Sequence, residues 1–351
     1  MRNSKALARH QAIRRGLEFI YRTACDEANF EDWGHDYLGC FHCIASTSKD
    51  ADLAQRARQL GQERARHWRR KHPAVPPDAD ANVIADLVFG SVAANHFGIH
   101  DSTLKPQIRK AAANFTALDY FWFDPVTEPP PADIPEDCHC GADNPRGRKK
   151  CSRCKKPLKM LSRYGVYIDA LTRSYFADRL GVVLGARYRD VIKWLPAMRP
   201  YRGRENGHNP DFVSSIYAVT HVVYTLNGYS TYKLSPRWLP DEYEFLRSNL
   251  VEAIAMEDPE TMGEFLDSLK AFGLTENHPL IRKGMDYVLA TQNADGSWGD
   301  VDAEDIYERY HPTWTAIDGL REYAWGGERL YVPGLMGTVG AMAGNRGNQS
   351  Q

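Results

Sequence analysis

The stretch RKGMDYVLATQNADGSWGD, residues 282–300, begins with a helical pattern and ends in a turn of Asn, Asp and Gly that contains one tryptophan. Trp298 brings a large apolar face, so its place in a polar turn needs a structural reason. The reading that supplies one is a staple. Trp298 packs one helical hairpin against the next, and Gln292 satisfies orphan N–H groups at the start of the following helix. The stretch therefore carries no chemistry of its own.

Helical periodicity extends outward from it along the whole chain. DADLAQRARQLGQERARHW, NVIADLVFGSVAANHFG, DEYEFLRSNLVEAIAM and PETMGEFLDSLKAFG each carry apolar residues at helical spacing, separated by Gly, Asn, Asp or Pro. Alternating Val, Ile and Thr runs hardly occur. The helices pair as 4–28 with 33–46, 50–69 with 82–97, 103–118 with 161–180, 184–196 with 208–227, 240–255 with 258–272, and 276–293 with 309–325. Six pairs at a spacing of about 45 residues are the signature of stacked helical hairpins, in an open superhelix or a closed ring. One insertion interrupts them: WFDPVTEPPPADIPED, 122–137, is Pro-rich and acidic and reads as an extended linker. The expected organisation is a discontinuous helical domain over 1–121 and 161–333, an insertion over 122–160, and a mobile Gly-rich tail over 334–351.

Lys283–Gly284, Tyr287–Val288, Gln292 and Gly296-Ser297-Trp298 together match the QW repeat. In this the chain resembles the α/α-toroid enzymes of the terpenoid cyclase and protein prenyltransferase superfamily. The resemblance implies an all-α toroid of about six hairpins, and it marks the helix after the turn as one that lines the central cavity. It also implies a zinc-ligand role for the His of a Tyr-His step on that helix, which falls on His311. The family's Asp-x-Cys ligands and the Asp-x-Asp-Asp of its triterpene cyclases have no counterpart here, and DVDAED at 300–305 is only a loose approximation. The resemblance thus carries the fold and leaves the chemistry open.

The strongest chemical signal is CHCGADNPRGRKKCSRCKKPL. Cys138 and Cys140 are followed by Cys151 and Cys154, two thiolate pairs spaced to wrap a tetrahedral Zn²⁺ in a ribbon-like knuckle. Four thiolates close the coordination sphere, so this zinc is structural. The loop between them is basic, but no aromatics interleave its charges for base stacking, and a nucleic-acid role is not expected. Cys40-x-x-Cys43 lacks the strand-to-helix context of a redox pair and reads as core, with His35 and Asp36 beside it as cavity residues.

HNPDFVSSIYAVTHVVYTL reads as a buried helix carrying His221 and Tyr224 on one face. His221, Tyr224 and His311, with a carboxylate from Glu264 or Asp318, are the expected catalytic group. A second divalent metal, iron, zinc or manganese, is expected on His221 and His311. His208 lies ~20 Å from His221 along a helix, too far to share its metal, and is expected to join His311 at the cavity mouth. The expected function is a metal-dependent enzyme acting on a hydrophobic or amphipathic small molecule, isoprenoid-like or another metabolite. The other class the residues allow is a non-catalytic helical scaffold whose knuckle and basic loop bind a protein or RNA partner.

The bulk numbers agree with either class. The 351 residues carry a formal net charge of −1, which gives no global attraction to nucleic acid or anionic membrane. Mean hydropathy is −0.52, and no apolar run has the length of a membrane span. The N-terminus lacks a signal-peptide pattern, so a cytoplasmic location is expected.

Overall fold

The computed structural model describes residues 2–333; the tail expected to be mobile, 334–351, lies outside the described residues. Among these there is no sheet, only isolated bridge pairs, and the all-helical expectation holds. The helices are α1 (Arg2–Ala24), α2 (Glu27–Thr47), α3 (Ala51–Lys71), α4 (Ala81–His96), α5 (Leu104–Ala112), α6 (Ala117–Phe121) and α7 (Arg163–Leu180). After these come α8 (Tyr188–Ile192), α9 (Leu195–Met198), α10 (Phe212–Leu226), α11 (Pro240–Ala255), α12 (Pro259–Ala271), α13 (Pro279–Ala290) and α14 (Tyr307–Leu320). No helix among the described residues is long and apolar enough to cross a membrane.

Local chemistry sets where the helices begin. Asp26, Asp50, Asp80, Ser162 and Asp258 accept backbone N–H bonds at the starts of α2, α3, α4, α7 and α12. Proline occupies the first turn of α11, α12 and α13, where its missing N–H has no cost. Gly181, at φ 76°, closes α7 in the left-handed conformation.

Six helices, α2, α4, α7, α10, α12 and α14, contribute side chains to one central cavity. Along this series each helix packs on the next, and α14 returns to α2. The backbones of α12 and α14 meet at a glycine. A Cβ on Gly263 would stand 2.3 Å from the Thr315 carbonyl oxygen, so only glycine allows these backbones to meet. That contact brings Glu264, the next residue, against the side chains of α14. Between α14 and α2 the contact is aromatic and polar. The Tyr37 and Tyr310 rings lie 4.4 Å apart, and the Tyr310 hydroxyl donates to Asp36 Oδ2 at 2.8 Å.

The 282–300 stretch joins the last hairpin to the first helix. Trp298 is fully buried, its indole N–H donates to the Val288 carbonyl at 2.7 Å, and its backbone N–H donates to Thr313 Oγ1 at 2.9 Å. Gln292 departs from the expected cap. Its amide donates to the carbonyls of Ala12 and Gly296, at 2.8 and 2.9 Å, and does not receive N–H groups of α14. The reason is that α1 lies across the turn. Arg15 and Arg22 donate to the carbonyls of Asn293, Ala294 and Asp295, and Gly296 meets the Arg15 backbone directly.

The segment between α6 and α7 contains no helix. Its Pro-rich part is tied to the residues just after α8: Lys193 donates to the Val126 carbonyl and the Trp194 indole to the Pro125 carbonyl, both at 2.8 Å.

Candidate functional site

The central cavity has a volume of about 300 Å³, at the lower end of the range for small-molecule sites. Aromatic and aliphatic groups make up most of its wall, among them Trp33, Phe89, Phe176, Tyr229 and Trp314. The polar groups converge from different helices: His35, Asp36 and His42 from α2, Arg179 from α7, His221 and Tyr224 from α10, Glu264 and Asp267 from α12, and His311, Asp318 and Arg321 from α14 and its end.

Of the residues expected from the sequence, His221, Tyr224, Glu264, His311 and Asp318 all line this cavity. His208 does not. It is exposed beside the short turn 205–207, with Nδ1 3.0 Å from the Glu205 carbonyl, because the chain breaks from helical geometry well before α10 begins.

His221 Nδ1 lies 2.8 Å from the Tyr217 carbonyl, which can only accept, so Nδ1 carries the proton and Nε2 is the acceptor. Burial pushes this imidazole down to about 4, and the nearby His311 adds to the effect, so it is neutral at physiological pH. His311 is the opposite case. Burial alone would lower it, but the Glu260 carboxylate, with help from Asp36 and Glu264, outweighs that and raises it to about 9. His311 Nδ1 lies 3.1 Å from Glu260 Oε1 but off the line a hydrogen bond requires, so the contact is an ion pair. Tyr217 donates to the same oxygen at 2.8 Å. Glu260, an acid the helix-dipole argument accounts for from sequence, is thus the partner of His311.

Glu264 is 2% exposed and has no cation against it. Burial raises its carboxyl to about 8, against the opposing pull of the Thr220 hydroxyl, which donates to Oε2 at 2.6 Å. Thr220 precedes His221, so a protonated acid and a neutral imidazole face the cavity from adjoining helices. Tyr224 donates weakly to the Glu264 carbonyl at 3.5 Å, and burial holds its phenol far above the usual range, so it stays protonated. Asp318 is a salt-bridge member: Arg321 Nε donates to Oδ1 at 2.6 Å.

Sequence reasoning missed Asp267, Arg321 and Arg179. Asp267 follows Glu264 by three residues on the same face, and Arg321 follows Asp318 at the same spacing, so a search for same-face partners finds both. Burial and the charge of Asp318 raise Asp267 to about 7, and it accepts from Ser230 at 3.0 Å. Nothing local distinguishes Arg179 from an ordinary basic residue in the last turn of a helix. Cys40 and Cys43 are buried free thiols, both pushed up by burial, Cys43 to about 12, in keeping with a core role.

The second cluster is in the segment 122–162. The ligand atoms of Cys138, Cys140, Cys151 and Cys154 lie within 4.8 Å of one another, so the group can hold a metal ion. Neighbouring sulfurs are 3.4, 3.5 and 3.6 Å apart. Four sulfurs at ~2.3 Å from zinc would form tetrahedral edges of about 3.8 Å. The backbone N–H groups of Arg153 and Cys154 point at Cys151 Sγ at 3.4 and 3.5 Å, as they do around a coordinated thiolate. Among the described residues no other group of three or more His, Cys, Asp or Glu side chains has ligand geometry. Of the residues expected to hold a cavity metal, His208 lies outside the cavity, and among the described residues His221 and His311 do not come together with a third His, Cys, Asp or Glu ligand. In the basic loop, Arg146 is paired with Glu128 and Asp133 and is not free for phosphate.

No protein-family model matches the chain, and comparison with curated proteins and with solved structures yields no match either.

Proposed function

We propose that the chain is an α/α toroid whose central cavity is the active site of an acid–base enzyme for a small amphipathic molecule, with a zinc-bound knuckle as a structural appendage. What supports the toroid is the closed series of six cavity-lining helices, with the 282–300 stretch clasping the first helix. The observation that carries the enzyme reading is the pairing of a protonated Glu264 with a neutral His221 in one largely apolar cavity. Titratable groups pushed apart in this way are the usual mark of an acid and a base.

Glu264 supplies a proton to an alkene or oxygen of the substrate. His221 Nε2 removes a proton from the neighbouring carbon. The two transfers together shift a double bond, or expel water where a hydroxyl leaves, with no oxidant or reductant required. The proton then returns from His221 to Glu264, closing the cycle. The imidazolium of His311, backed by Glu260, stabilises negative charge on a substrate oxygen.

Incubation of the protein with a metabolite extract, followed by mass spectrometry, tests this. The expected product has the mass of its precursor or that mass less water. Glu264→Gln and His221→Asn should each slow its formation by about a hundredfold or more. Conversion that survives both substitutions rejects the assignment.

The four sulfurs support zinc by donor type and spacing. Elemental analysis should give one zinc per chain, lost in Cys151→Ser and unaffected in the His221→Ala, His311→Ala double variant. A second metal equivalent that disappears in the double variant would restore the cavity metal.

A further inference from the structure

The cavity wall holds three cationic side chains, and two of them have acids. Arg321 is bonded to Asp318 and His311 is paired with Glu260. Arg179 has no carboxylate partner among the described residues. Its surroundings are neutral. Nη2 donates to His96 Nε2 at 2.7 Å, and His96 is fixed as an acceptor because its Nδ1 lies 2.7 Å from the Val92 carbonyl. Burial, then the charge of Arg179, pushes His96 down to about 4. Nη1 donates to the Tyr175 hydroxyl at 3.2 Å, and the guanidinium carbon lies 5.7 Å from the ring centres of Tyr175 and Tyr331.

A guanidinium has five N–H donors, and these two bonds leave three. Beside it His42, also in the cavity wall, stacks on His96 with ring centres 3.9 Å apart and makes no side-chain hydrogen bond to the described residues. Burial and the neighbouring His96 and Arg179 hold His42 neutral, so it offers one further N–H. A partly buried positive charge without a counter-charge is unfavourable unless a ligand completes it. Next to it runs an aromatic wall, in which Phe176 lies 4.7 Å from Phe89 and 5.1 Å from Tyr229.

We propose that Arg179 and His42 form a carboxylate-anchoring subsite, so that the molecule taken into the cavity is a monocarboxylic acid with an apolar body. An unpaired guanidinium calls for an anion, and its planar fork matches the two oxygens of a carboxylate. A dianionic phosphate would leave excess negative charge near Asp36 and Asp318. The inference rests on the cavity being a ligand site.

Calorimetric titration at pH 7.5 with octanoate, octan-1-ol and octyl phosphate tests it. Octanoate should bind at least about tenfold more tightly than octan-1-ol. Arg179→Gln should weaken octanoate by roughly ten- to a hundredfold and leave octan-1-ol within about twofold, which also shows that the variant is folded. Arg179→Lys should fall between the two. Equal affinity for octanoate and octan-1-ol, or a preference that survives Arg179→Gln, overturns the subsite while the cavity reading stands. An Arg179-dependent preference for octyl phosphate overturns the carboxylate assignment. Failure of the wild-type protein to bind any of the three overturns the cavity reading and the inference with it.

Discussion

Replacing Glu264 by Gln is expected to stabilise the protein, by an amount that grows with pH. The carboxyl is raised from 4.5 to about 8 in the folded chain, chiefly by burial. Between these values the folded state binds more protons than the unfolded state, so the contribution of Glu264 to stability falls as pH rises through that window. Glutamine has no proton to lose, and its amide oxygen can accept the Thr220 hydroxyl in the same place. The advantage of Glu264→Gln should be near zero at pH 4.5 and reach on the order of 4 kcal/mol by pH 9. Other groups titrate in this range. His311 contributes stability below 6.5 that is lost as pH rises through about 9, whereas stability rises with pH between about 4 and 6.5 as the unfolded counterparts of His221 and His96 lose their protons. These are common to both proteins and largely cancel in the difference. Urea unfolding of the pair at pH 5, 7 and 9 measures it. A difference that stays flat with pH means that Glu264 is ionised throughout, and the acid of the proposed mechanism is lost. A group kept at such a cost to stability is what an active site retains and a passive core does not.

How much of this was legible in the sequence depended on how far apart the interacting residues are. Helix positions follow from periodicity and caps within a few residues, and the six expected pairs contain the six cavity-lining helices. The cysteine knuckle is as local, and its four sulfurs are together. Glu264 and His221 were legible because a polar residue in an apolar helix face is anomalous wherever the helix lies, and His311 because the resemblance at 282–300 marked the helix that follows. The partners of these residues were not. Glu260 is explained by its own helix N-terminus until α14 is placed beside it. Arg179, His96 and His42 come from three helices and form a group only once α2, α4 and α7 are assembled. The surroundings of His208 and Asp318 were hidden for the same reason. The first left the cavity where the chain broke before α10, and the second met an arginine that neutralises it. Gln292 was expected to cap the following helix, but its amide donates to a carbonyl of α1, at the other end of the chain.

That long-range clasp gives the other large effect. Trp298→Ala removes a fully buried indole from the junction of α1, α13 and α14 and should cost about 3–5 kcal/mol of unfolding free energy. Loss of a side chain does not by itself show that the first helix and the last turn act together, and Gly16 supplies that test. A Cβ on Gly16 would meet Trp298 Cζ3 at 2.8 Å and the Ile317 side chain at 3.2 Å. In the wild-type protein Gly16→Ala should therefore destabilise by about 1–3 kcal/mol through overpacking, more than the ~1 kcal/mol that alanine gains over glycine within a helix. In the Trp298→Ala background the main obstacle is gone. There the same substitution should become neutral or stabilising, because helix propensity remains and the clash does not. Urea unfolding of the four proteins closes the cycle, and the coupling should be at least about 1 kcal/mol in favour of the double variant. Additive effects would mean that α1 does not rest on the tryptophan. The sign reversal at Gly16 is the decisive result, since a general loosening of the fold would lower the stability of the double variant further instead of raising it.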